Sequence, residues 1–122
     1  MPESFAHVLE SLREPGTSRL SVERVAALLE LQQQYLATFA GVHLDTVRMH
    51  PELARLQAAL RDMVRVLSAA CAIQSDLRRA VFFIKNEPIA AFDHRTLLEA
   101  TRIGQVDVVV AYLESIASGF VG

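Results

Sequence analysis

The sequence predicts an all-α chain, and three observations carry that expectation. Residues Gln33 to Arg48 have the spacing of a tight corner between two short helices. Leu53, Leu56, Leu60, Met63, Leu67 and Ala70 recur at alternating steps of three and four. Val106, Val109, Val110, Leu113 and Ile116 keep helical spacing through a segment whose β-branched run would otherwise suggest a strand.

Taken in order, Glu3 to Arg13 has Phe5, Val8, Leu9 and Leu12 at helical spacing and is closed by Glu14-Pro15-Gly16-Thr17, so a short, detachable helix is expected there. Ser21 can cap the next helix, Val22 to Leu31, whose stripe is Val25, Leu28 and Leu29. The corner follows as Gln33 to Gly41 and Leu44 to His50, stopped by Pro51. Leu36 and Ala40 face inward and Ala37 is small enough for the second helix to cross close above it. Gly41 supplies the positive φ of the bend, and Val42 and Val47 hold the second helix from beneath. Glu52 to about Ile73 is expected to be one helix of about 30 Å. Its seam of Leu53, Leu56, Leu60, Met63 and Leu67 either packs within one subunit or contributes to a two-fold dimer. Ser75 and Asp76 restart a helix that Asn86-Glu87-Pro88 ends; Phe92-Asp93-His94-Arg95 reads as loop, Thr96 as a cap and Leu97 to Thr101 as a short helix broken by Gly104. The last helix, Gln105 to Ser118, is closed by Gly119. Three regions result: 1–51 with the N-terminal helix and the corner, 52–74 as the connecting helix, and 75–122 as a C-terminal lobe.

The 122 residues are 52% hydrophobic and 21% charged, enough apolar content to close a core. No apolar run approaches the roughly 20 residues of a bilayer span, and Met1 to Glu10 has two acids and no basic leader, so a cytoplasmic location is expected. The lone Cys71 lies in an apolar helical stretch and reads as a small core residue. The four histidines fall in separate elements without a second ligand at helical spacing, and no phosphate loop or nucleophile motif is present; Asp93, His94 and Arg95 read as solvated or capping groups. Neither an enzyme, a metal site nor a cofactor is expected.

A helix-turn-helix corner points to nucleic acid. The residues placed to reach a duplex are Gln33, His43, Leu44, Asp45, Thr46, Arg48 and Met49. Only Arg48 can make the bidentate guanine contact, Asp45 repels phosphate, and His50 occupies a place that an apolar anchor normally fills. Residues 1–50 hold four arginines against six acids, and 51–122 balance eight against eight, so no basic half exists. DNA reading by a single copy would be weak, and a dimer presenting two corners would strengthen it. A corner that has lost DNA binding is the alternative.

The stretch Phe83-Ile84-Lys85-Asn86-Glu87-Pro88-Ile89-Ala90-Ala91-Phe92-Asp93, followed by Arg95-Thr96, Glu99, Gly104 and Ala111-Tyr112-Leu113-Glu114-Ser115-Ile116-Ala117-Ser118-Gly119-Phe120, resembles the toxin-binding domain of the MbcA/ParS/Xre antitoxin family. The preceding corner and long helix match that family's architecture. His94 stands where many members have glycine, Leu97 where proline is common, and Phe82 or Phe83 where tryptophan is frequent; the last two departures read as packing substitutions. The resemblance implies an Xre-like helix-turn-helix lobe and a small helical lobe, 75–122, that binds a RES-domain toxin. Such a toxin consumes or transfers from NAD, and its antitoxin holds it inactive by covering the substrate entrance. The candidate docking residues are Asn86, Glu87, Pro88, Phe92, Asp93, Arg95, Gly119, Phe120, Val121 and Gly122. The Phe120-Val121-Gly122 tail could enter a pocket at little ordering cost, or Phe120 could fold back over the last helix. An operator-binding homodimer is the accompanying expectation. The alternatives are a DNA-binding autoregulator without a toxin and an interaction adaptor that has lost both roles.

Overall fold

The computed structural model describes residues 8–119. Every regular element among them is helical; the only extended pairings are the single antiparallel bridges Arg13–Leu20 and Ile89–Arg95. The helices are α1 (Val22–Leu29), α2 (Gln33–Ala40), α3 (Leu44–Met49), α4 (Ala54–Cys71), α5 (Leu77–Asn86), α6 (Leu97–Arg102) and α7 (Val106–Ala117), with a 3-10 turn at Ala90–Phe92 between α5 and α6. None of the helices among the described residues is long and apolar enough to cross a membrane. The chain forms two compact units that divide between Val64 and Arg65, inside α4 rather than at either of its ends.

In the first unit the Ser21 hydroxyl caps α1 by accepting from the Arg24 N–H at 3.2 Å. The helix ends two residues earlier than expected because Glu30 turns left-handed, with φ 54°, and its N–H returns to the Ala26 and Ala27 carbonyls. Gly41 has φ 72° and closes α2: its N–H donates to Thr38, and the Val42 N–H reaches the Ala37 carbonyl at 2.9 Å. Leu36, Ala37, Ala40 and Val47 are buried as the corner spacing requires, and α2 packs on both α1 and α3. The chain ahead of α1 is less detachable than expected. Residues 8–11 are helical, Leu12 is buried, and Arg24 Nη1 donates to the carbonyls of Ser11 and Arg13, at 2.8 and 3.0 Å. The expected helix over Glu3–Arg13 ends at residue 11, with Leu12 in a turn and Arg13 in the bridge to Leu20; its residues 3–7 lie outside the described residues.

One buried polar side chain ties this unit together. Gln57 Oε1 accepts from the Leu20 N–H at 3.0 Å, while Nε2 donates to the carbonyls of Leu20 and Pro51 at 3.1 and 2.8 Å. The amide thus satisfies backbone groups that would otherwise be buried without partners.

Helix α4 begins at Ala54, not Glu52, because the Leu53 N–H bonds the His50 carbonyl and closes a turn after Pro51. Of the two readings of the α4 seam, burial favours packing within one chain: Leu56, Leu60, Met63 and Leu67 have no exposed surface in a single copy, while Leu53 precedes the helix and is 40% exposed.

In the second unit, Asp76 caps α5 by accepting from the Arg79 N–H, and Thr96 with Glu99 forms a reciprocal capping box at the start of α6. α6 packs against both α5 and α7. The valine run of α7 is helical as expected, with Val109, Val110 and Leu113 buried. Cys71 is half-buried rather than fully interior, and desolvation raises its thiol pKa.

Candidate functional site

Two surfaces carry the residues singled out from sequence. In the corner, the α3 segment exposes His43, Asp45, Arg48 and Met49, while Gln33, Leu44 and Thr46 are half-buried. Helix α3 has six residues, and Met49, 72% exposed, sits at its outer end beside His50. His50 Nδ1 lies 3.3 Å from Glu52 Oε2, and the Glu52 carboxyl titrates below its usual range. Its own backbone N–H is the main cause and His50 a further one, with burial opposing both. The corner therefore presents the exposed Arg48 with the exposed carboxylates of Asp45 and Glu52, and a second guanidinium, Arg55, whose Nη1 donates to the Gly41 carbonyl at 3.4 Å. That set can contact one guanine edge and offers little to a phosphate backbone.

The second surface is built by the connection between α5 and α6, which is a tied loop. The Ile89 N–H donates to the Arg95 carbonyl at 3.0 Å, and the His94 N–H returns to the Ile89 carbonyl at 2.9 Å. Within this ring the 3-10 turn is closed by two consecutive left-handed residues, Asp93 with φ 56° and His94 with φ 65°. Reversal over so few residues needs that backbone, and the hydrogen bonds hold it. Ile89 and Phe92 anchor the loop inward; Asn86, Glu87, Pro88, Asp93, His94 and Arg95 are all exposed. Arg95 Nη1 stands 3.4 Å from Asp93 Oδ2, a loose pair at the surface.

Phe92 is the one docking candidate that the structure removes from the surface. It is buried and meets Tyr112 of α7 edge-on, with ring centroids 5.5 Å apart and planes at 80°. Its ring fastens the loop to α7 and is not available to a partner. Gly119 is exposed and left-handed, with φ 75°, as the expected cap of α7. Phe120, Val121 and Gly122 lie outside the described residues.

Sequence reasoning missed two features. Of Phe82 and Phe83, either of which could stand in for tryptophan as a packing residue, Phe83 is half-buried, but Phe82 is 67% exposed on α5, on the same helical face as Arg78, Arg79 and Asn86. The positions i+3 and i+4 from Arg78 and Arg79 carry the signal, since the buried stripe Ala80, Val81 and Ile84 already fills the inward face. Helix α7 is apolar beyond its buried stripe, with Val108 exposed on the opposite side and Ile116 exposed where the stripe runs out near the helix end. A helix whose hydrophobic positions exceed one stripe is the corresponding mark in sequence.

No cluster of three or more metal-binding side chains exists among the described residues. The chain matches no protein-family model, no curated protein and no solved structure in comparisons of each kind.

Proposed function

We propose that this chain is an antitoxin that binds and inhibits a RES-domain, NAD-consuming toxin, docking through the α5–α6 loop and the C-terminal end of the chain. The observation that carries the reading is the left-handed backbone at His94. That is where the resembling family commonly has glycine, and a positive φ is one physical cause of a glycine preference. The remainder of the pattern is in accord: an aromatic-rich helix ends at Asn86, Thr96 starts the next with a capping box, Gly104 is left-handed between α6 and α7, and Gly119 closes the last helix. The loop's ring of backbone bonds also suits docking, because a surface that is already ordered loses little entropy on binding.

In this reading the exposed rim of Asn86, Glu87, Pro88, Asp93 and Arg95 meets the toxin, with Phe82 on the adjoining helix as an apolar contact. Coexpression with a RES-domain enzyme encoded beside this chain tests it. Growth should be restored and the two proteins should purify together. Persistent toxicity with no complex recovered would refute it.

The corner of α2 and α3 is read as an Xre-like helix-turn-helix that binds the chain's own operator, with two copies side by side. Its buried Leu36, Ala37, Ala40 and Val47 and left-handed Gly41 support that reading. A mobility shift with the operon promoter is expected at low salt and is lost at moderate salt, because few phosphates are neutralised. Arg48→Ala should weaken it about tenfold. Absence of any shift at low salt would remove DNA from the function.

A further inference from the structure

We draw no further inference here: the strongest candidate, the outward face of α5 on which Phe82 lies exposed beside Arg78, Arg79 and Asn86, is an unpartnered surface patch, and nothing in the structure shows what covers it.

Discussion

Gln57 is the residue on which the first unit's backbone accounting turns. Its amide bonds one N–H and two carbonyls. Gln57→Leu keeps the volume but leaves those groups unpaired, so urea denaturation should show a loss of about 2–3 kcal/mol; an unchanged midpoint would mean that water replaces the amide. Gly41→Ala isolates a different effect. A Cβ there meets nothing closer than Arg55 Nη1 at 3.9 Å, so its cost is backbone strain alone, about 1–2 kcal/mol in the same measurement. Cys71 is half-buried with a raised thiol pKa, and its reaction with a disulfide reagent at pH 8 should be slower than that of a small free thiol. These residues differ in how openly the sequence announced them. Gly41 was legible because the corner demands a positive φ at one place. Gln57 was not, since its partners Leu20 and Pro51 are set by the tertiary fold and carry no local mark.

At the scale of elements, helix identity was legible wherever one apolar stripe ran longer than two turns, as in α4 and α7, and where a capping residue preceded it, as at Ser21, Asp76 and Thr96. The period of α7 decided correctly against the propensity of its valines. The partner of a stripe was not legible. A heptad-like seam can be covered from within or by another copy, and only the burial of Leu56, Leu60, Met63 and Leu67 in one chain distinguishes the two. Leu60→Ala should therefore cost about 2–5 kcal/mol of folding stability. The mass of the folded protein in light scattering should stay unaltered; dissociation at unchanged stability would restore the seam as an interface between copies. The same ambiguity explains Phe92 and Phe82. Two aromatics near one loop look equivalent in sequence, yet Phe92 packs on Tyr112 while the register of α5, with Ala80, Val81 and Ile84 inward, leaves Phe82 exposed.

For the whole molecule, a net charge of −2 gives no overall attraction to phosphate, which accords with the proposal of protein recognition. The candidate docking loop was legible in its boundaries, from Asn86 to Thr96, because Pro88 and a helix cap bracket it. Its strained reversal at Asp93 and His94 was not, since neither residue is a glycine. The most direct test of the central claim is to titrate the intact chain into the purified RES-domain enzyme encoded beside it and to follow NAD consumption. The account predicts that consumption falls linearly and ends at a fixed ratio of chain to enzyme. A rate unchanged at severalfold excess of the chain would contradict it.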